Sequence, residues 1–545
     1  MNAPFPGYFS SQVRPNLPGF FLALAFFCGG LRLPGAWLAF AVLFLPWFAA
    51  DREPFSPAAL PAAVLFFLWL ALAALFSPEP AVSSAALARC LLPGLVFFAA
   101  ASSFGGEKNW LGAVLVLGAV SAAALLIQKI SGRPVTGLIG LNPNYTAAFA
   151  AAAFPAALLA ACGGEGEKKP LWAGLTLLLA AGLLAAGSRG ALLAAFLAAA
   201  AVLALAGRGR TLTFLCAAAA GAFIVLPEAF WAGLLKFHDP RAFERPLLWG
   251  AALEIAAGHP FFGVGPGLFE KAFEVVKFPY FDGISYYGHS TAHAHGEIFN
   301  LAAEAGFPAS AFFVAAAAGG LRAGLRRNLP LAACALAVFI QGSVDVVFYS
   351  GAVSLLFWGT LGFLAPRGPA GGAPGIITRG VLAALCFAGL LSGFFTGNFG
   401  PGAEMRRSLN AQAAAGGAPA LNLALLRYSR LDRPKDPLAA RAAGSAAAAA
   451  GDLARAEIDL KAALALEPLY SAARLELAKV YAAQGRRAGA CSGLKPVDAP
   501  VTGRIFNDYQ RSLIYFDRLE LKRLKKELCG KTKTGATTAP TPKTR

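Results

Sequence analysis

The chain has 545 residues, of which 57% are hydrophobic and only 14% charged, with a formal net charge of +18. Soluble domains carry about 25% charged residues, so the composition excludes a soluble globular enzyme and predicts an all-α, polytopic membrane protein. The positive balance calls for no nucleic acid partner, because most Lys and Arg fall in short turns between apolar runs or in the C-terminal tail.

Apolar runs long enough to cross a bilayer as helices recur near 17–31, 35–50, 59–77, 89–104, 110–129, 143–162, 170–186, 189–206, 211–227, 297–318, 329–347, 350–365 and 379–397. They predict 12 to 13 transmembrane helices: nine within 1–227, a large polar loop over 228–296, and the rest within 297–397. A second apolar run follows the first directly, so the first is expected to be a helix rather than a cleaved signal. With the N-terminus inside, cytoplasmic turns receive Arg14, Arg52, Lys108, Lys168, Lys169, Arg208, Arg210, Arg322, Arg326, Arg327, Arg367 and Arg379. The opposite turns receive only Arg32, Arg89, Lys129, Arg133 and Arg189. This bias predicts that the 228–296 loop and the C-terminal region both lie on the outer face.

The run 171–207 is interrupted only by Gly187, Ser188, Arg189 and Gly190, which holds one guanidinium at the mouth of a helical hairpin. Arg189 either snorkels to lipid phosphate or serves as a fixed cation for an anionic, membrane-bound ligand, since Arg pairs bidentately with phosphate. In the loop, Pro246 at the first turn and Gly258 with Pro260 after the last bound a short helix from Arg245 to about Ala257. Arg245 and Trp249 share a face of it at i and i+4, suited to holding a sugar phosphate or to packing the loop on itself. The GVGPG that follows lacks the flanking strand of a nucleotide site and is expected to be a turn.

Three of the five histidines, His289, His293 and His295, fall within seven positions of HSTAHAHGEIF. A helix starting near Gly296 puts Glu297, Asn300 and Glu304 on one face, and acidic residues entering a membrane helix usually face a cavity. Asp345, in QGSVDVVFYS, either adds to that cavity or is a buried carboxylate satisfied by Gln341 or a hydroxyl. The histidines could ligate zinc with a nearby Glu, or be merely exposed; no cysteine and no carboxylates placed to orient the imidazoles accompany them, and no metal site is assigned.

Beyond 402 the composition changes to Ala, Leu and Arg at helical period, and Gly451 and Gly485 stand 34 residues apart with Pro468 between. That is the period of a tetratricopeptide repeat; a plain helical hairpin is the alternative, and a degenerate repeat is expected around 421–449. The region 402–528 is therefore expected to be a soluble helical domain suited to a protein partner, with 529–545 a solvated basic tail. Six cysteines lie in apolar runs; Cys491 and Cys529, outside them on the outer side, could form a disulfide.

The order NPN, then SRG in a hairpin, then R-x3-W with a downstream HP-x2-GVGPG, then a histidine pair leading into a span with E-x-G resembles the O-antigen ligase and polymerase superfamily. The resemblance covers about residues 15–365 and is strongest over 142–309. The family's histidine motif maps onto His295, Gly306 and Ala309, with Gly296 in place of an amide or hydroxyl residue. The resemblance implies a GT-C type glycosyltransferase of the bacterial inner membrane that takes a glycan from undecaprenyl diphosphate at the periplasmic face. It implies His295 as the catalytic base and Arg189 and Arg245 as diphosphate contacts, with no cofactor or metal. His289, His293, Glu297, Glu304, Trp249, Asn144 and Asp345 are supporting or substrate-contacting candidates. The implied acceptor is lipid A-core; a growing polysaccharide or a protein would use much the same constellation. From other classes, a lipid-linked sugar flippase would need charges spread at mid-depth over several spans, and a membrane-anchored scaffold leaves the His and Arg grouping unexplained.

Overall fold

A computed structural model describes residues 17–50, 61–103, 105–140, 142–163, 166–235, 243–281, 284–287, 291–366, 376–397, 433–497 and 508–530. His289, the 402–432 part of the expected helical domain and residues 531–545 lie outside them. The regular structure of the described residues is all helical, and the chain forms two compact units, 1–276 with 291–407 and 277–290 with 408–545.

The first unit contains α1 (Leu17–Phe27), α2 (Pro34–Ala50), α3 (Pro61–Leu75), α4 (Pro80–Ser102), α5 (Glu107–Ile130), α6 (Pro143–Gly163), α7 (Lys169–Ala186), α8 (Arg189–Leu205), α9 (Gly209–Val225), α10 (Glu228–Leu235), α11 (Arg245–Gly258), α12 (Phe269–Val276), α13 (Glu297–Arg327), α14 (Leu329–Val344), α15 (Gly351–Leu364) and α16 (Ile376–Thr396). Every expected apolar run contains a helix. Among the described residues, α4, α5, α6, α7, α13 and α16 are long and apolar enough to cross a bilayer by length and composition, or seven spans if α9 and α10, bent by 112°, count as one. The others are shorter apolar helices: a 17-residue helix such as α2 or α8 rises about 25 Å against a hydrocarbon core of about 30 Å.

Small residues let these helices approach closely. A Cβ on Gly118 of α5 would stand 2.4 Å from the Ala153 Cβ of α6, and one on Gly182 of α7 would stand 2.4 Å from the Ala122 backbone of α5. The aromatic side of the core is built by Phe66, Phe97, Phe313, Phe357 and Trp358.

The α13 helix corrects one expectation, that the acidic face leads straight into a span. Gly306 breaks it at φ 83°, ψ 169°, a conformation essentially reserved for glycine. The Ser310 hydroxyl donates to the Ile298 carbonyl at 2.6 Å, twelve residues back, whereas a straight helix would separate those residues by about 18 Å. The chain therefore turns back on itself, and Glu297 and Glu304 lie on a short first limb, 297–305, ahead of the long limb 307–327. The carbonyls freed at the reversal need partners. Val264 N–H donates to Ala303 O at 3.0 Å, Gly265 N–H to Glu304 O at 2.9 Å and the Trp69 indole to Ala305 O at 3.1 Å. The GVGPG turn closes this break: Gly263, Gly265 and Gly267 all have positive φ.

The 228–296 segment divides between the two units. Its α11 and α12 belong with the membrane helices, while residues 277–290 cluster with the C-terminal helices. That second unit contains α17 (Pro437–Ala449), α18 (Leu453–Leu466), α19 (Ser471–Ala483), α20 (Arg487–Leu494), α21 (Asp508–Ile514) and α22 (Arg518–Cys529). Gly451 and Gly485, at φ 81° and 77°, make equivalent left-handed turns between the helices of two successive pairs, and Asp436 and Asp452 cap α17 and α18. Ala440, Ala456, Leu460, Ala463, Tyr470 and Leu477 form its core. A disulfide joins Cys491 to Cys529, the pair singled out from the sequence. The buried Glu467 carboxylate accepts the backbone N–H groups of Tyr286 at 3.0 Å and Tyr287 at 2.7 Å, binding the 277–290 strap to this unit.

Candidate active site

The N-termini of α6 and α8 and the C-terminus of α14 converge on Asp345, a residue 1% exposed. In the NPN stretch, the Asn142 side chain accepts the Asn144 N–H at 3.0 Å, starting α6 at Pro143. The Asn144 amide then donates to Asp345 Oδ2 at 2.7 Å. Left-handed Gly187 ends α7, and Ser188 caps α8 by accepting the Ala191 N–H. This places Gly190 so close that a Cβ on it would lie 3.4 Å from Asp345 Oδ2. Arg245, at the start of α11, pairs with Asp345 Oδ1 at 3.3 Å and donates to the Val344 carbonyl at 2.7 Å. Asp345 is thus a buried carboxylate, but its partners are Arg245, Asn144 and the Val346 N–H rather than Gln341, which instead donates to the Asn144 carbonyl at 3.1 Å. Two helix N-termini add positive potential at the same point.

Arg189 is the first residue of α8, and its guanidinium lies 5.6 Å from the Phe243 ring, two residues before Arg245. Arg189 thus lies near the start of α11, and the α8 N-terminus it begins suits an anion.

The histidine turn joins this site from the other side. His295 has φ +54°, an uncommon left-handed conformation for a side chain of its size. It is held there by Trp249, whose indole donates to the His295 carbonyl at 3.3 Å, and by the Asn300 side chain, which accepts the Ala294 N–H at 3.1 Å. Trp249 stacks on Phe299 at 5.1 Å. Arg245 and Trp249 thus do share a face, one gripping Asp345 and the other the histidine backbone. Gly296 is extended at φ −173°, yet a Cβ there would stand 2.8 Å from the Ser343 carbonyl and 3.0 Å from the Trp249 indole nitrogen. The packing around position 296 therefore leaves no room for a side chain.

Burial holds His295 below the ordinary imidazole range; Asp345 pulls its pKa up and Arg245 pulls it further down. His295 is therefore neutral near pH 7 and sits in the fields of both partners. His293 stacks on Tyr349 at 4.3 Å and lies 5.6 Å from the His295 ring. Burial, and then His295, push its pKa down to about 3.

Glu297 and Glu304 line a cavity together with Arg89 and Cys90 of α4, Lys271 of α12, Asn300 and Tyr349. Glu304 accepts the Phe269 N–H at 3.3 Å. Sequence reasoning missed Arg89 and Tyr349. Arg89 figured only in the orientation of the loops, although a cation nine residues inside an apolar helix is itself a signal of function. Among the described residues no group of three or more His, Cys, Asp or Glu is placed to hold a metal ion.

Residues 174–314 match the family described as O-antigen ligase. The match takes in Arg189, Arg245, Trp249, His293, His295, Glu297 and Glu304, and leaves Asn144 and Asp345 outside. No curated protein matches the chain. Over the matched stretch the chain is similar to the O-antigen ligases, which supports, at a coarse level, a glycosyltransferase-like enzyme built as a multi-pass membrane protein.

Proposed function

We propose that this chain transfers a glycan from undecaprenyl diphosphate to an acceptor hydroxyl at the periplasmic face of the bacterial inner membrane, with lipid A-core as the acceptor. The observation that carries this reading is the gathering of Arg245, the Arg189 end of α8 and the His293–His295 turn around Asp345, largely within the stretch similar to O-antigen ligases.

His295, neutral near pH 7, takes the proton of the acceptor hydroxyl as its oxygen attacks the anomeric carbon. The bond from that carbon to the diphosphate oxygen breaks as the new one forms, so the anomeric centre inverts. Negative charge grows on the departing diphosphate and is stabilised by Arg189, Arg245 and the N-terminal N–H groups of α8. Arg245 spends two of its donors on Asp345 and Val344; the remaining guanidinium donors face the ligand. Asp345 orients Arg245 and stabilises the imidazolium that forms on His295. The diphosphate is already a good leaving group, so the scheme calls on no nucleotide or metal. The C-terminal unit is a tetratricopeptide-like module for a protein partner, a reading supported by the 34-residue spacing of its two left-handed glycine turns.

The test uses purified full-length chain and purified lipid-linked donor. His295→Ala at wild-type protein level should abolish transfer, and Arg189→Lys should lower it at least tenfold, because an ammonium cannot copy a bidentate fork. Transfer surviving in His295→Ala would refute the assignment of the base.

A further inference from the structure

A transferase with two substrates needs a second recognition site, and the cavity beside the histidine turn has different chemistry from the Asp345 site. Its polar end is formed by Glu297, Asn300 and Glu304 of the first α13 limb, Arg89 of α4 and Glu270 and Lys271 of α12. Lys271 is already paired with Glu79 at 2.8 Å. Arg89 hydrogen-bonds the Tyr349 side chain and stands over its ring at 5.7 Å. Glu297 makes no hydrogen bond or ion pair among the described residues, although it lines an internal cavity. The other end is apolar, walled by Phe66, Leu70, Phe313 and Trp358.

Lys271 is engaged by Glu79 and Arg89 by Tyr349, so a second diphosphate does not fit. A sugar does: its hydroxyls donate to carboxylates and to the Asn300 amide oxygen, its C–H faces pack on aromatic rings, and it needs no countercharge. The apolar end suits the lipid part of a membrane-held glycolipid. The cavity also meets the histidine turn directly, since Ala292 and Glu297, which bracket His293 and His295, both line it, and the Tyr349 ring in its wall stacks on His293.

Resting on the functional reading above, we infer that this cavity binds the acceptor as a lipid-anchored sugar, with Glu297 accepting hydrogen bonds from its hydroxyls, while the diphosphate donor occupies the arginine site. The geometry puts the histidine turn between the two.

The experiment measures binding of each substrate separately to the full-length chain in lipid nanodiscs, and then transfer. The probes are a lipid A-core glycolipid, the same core oligosaccharide without lipid, and undecaprenyl diphosphate-linked glycan. Glu297→Gln keeps the shape of the side chain and should weaken glycolipid binding at least tenfold and raise the acceptor KM in proportion, leaving donor binding within twofold; intact donor binding also reports an intact fold. Weakened binding of the lipid-free oligosaccharide as well would place Glu297 on the sugar, and loss confined to the glycolipid would overturn that contact. Donor binding lost while acceptor binding is unchanged would overturn the assignment. So would wild-type-like behaviour of Glu297→Gln in an enzyme that transfers normally, which leaves the functional reading standing. A wild-type chain that binds the glycolipid through Glu297 but transfers nothing would instead sink the functional reading alone.

Discussion

Gly296→Ala is the smallest perturbation that tests the packing of the histidine turn. Gly296 has an extended backbone open to any residue, so the substitution carries no conformational strain of its own, and its cost is steric. The new Cβ would lie 2.8 Å from the Ser343 carbonyl, 3.0 Å from the Trp249 indole nitrogen and 3.2 Å from the Phe299 ring. The carbonyl is backbone and cannot rotate away, so the turn or the Trp249–Phe299 stack must yield. Overpacking of this kind costs about 1–3 kcal/mol. If Trp249 moves instead, its bond to the His295 carbonyl is lost at roughly 1 kcal/mol, together with about 0.5–1.5 kcal/mol of ring stacking. Either route displaces His295, and a shift of about 1 Å in a positioned base costs on the order of a hundredfold in rate. The expected result is a transfer rate reduced about ten- to a hundredfold with a lower temperature of aggregation, measured on purified protein by lipid-linked glycan transfer and by heating followed by size-exclusion chromatography. Gly250→Ala is the control: it lies on the same helix as Trp249, meets nothing within 4 Å, and gains up to about 1 kcal/mol of helix propensity. A Gly296→Ala protein with wild-type stability and rate would refute this account of the turn.

Two further outcomes follow from the same geometry. The neutral form of His295 is the active base, so kcat/KM should fall as pH drops through its lowered pKa. Because Asp345 raises that pKa and Arg245 lowers it, Asp345→Asn should move the acid limb to lower pH and Arg245→Gln should move it to higher pH; limbs moving the same way would exclude His295 as the titrating group. In the second unit, Glu467→Ala removes a buried acceptor from the Tyr286 and Tyr287 N–H groups, bonds of a charged group contributing roughly 1.5–3 kcal/mol each. Chymotrypsin should then cut the strap at Tyr286 or Tyr287 at least several-fold faster while the Cys491–Cys529 disulfide persists, and an unchanged cleavage rate would count against the clamp.

Much of the site was legible before any coordinates, because its residues are rare where they stand. Arginine between two apolar runs, histidines in a chain nearly free of them, and carboxylates entering an apolar helix are each costly in a membrane protein unless used. Arg245 and His295 lie beside Asp345, and the paired Cys491 and Cys529 were visible from their separation from the apolar runs. The partners of Asp345 were not legible, since Asn144 and Arg245 stand 201 and 100 positions away in sequence and only helix packing brings them to it. The reversal of α13 was hidden for a related reason: Gly306 inside an apolar stretch looks like a tolerated glycine, and only Val264, Gly265 and Trp69 closing on the freed carbonyls show that the chain turns there.

Composition and periodicity by themselves determined that this is an all-helical, multi-pass membrane protein with a separate helical C-terminal region, because burial in lipid leaves the backbone few ways to satisfy its own hydrogen bonds. Tertiary structure alone decided that the acidic helix is a short limb folded back on its continuation, that the strap before the histidine turn belongs with the C-terminal helices, and that Glu297 and Glu304 serve a cavity of their own. Those outcomes depend on contacts between residues far apart in the chain, where close approach at a few glycines and the pairing of a few buried charges choose among arrangements that hydrophobic patterning leaves equivalent.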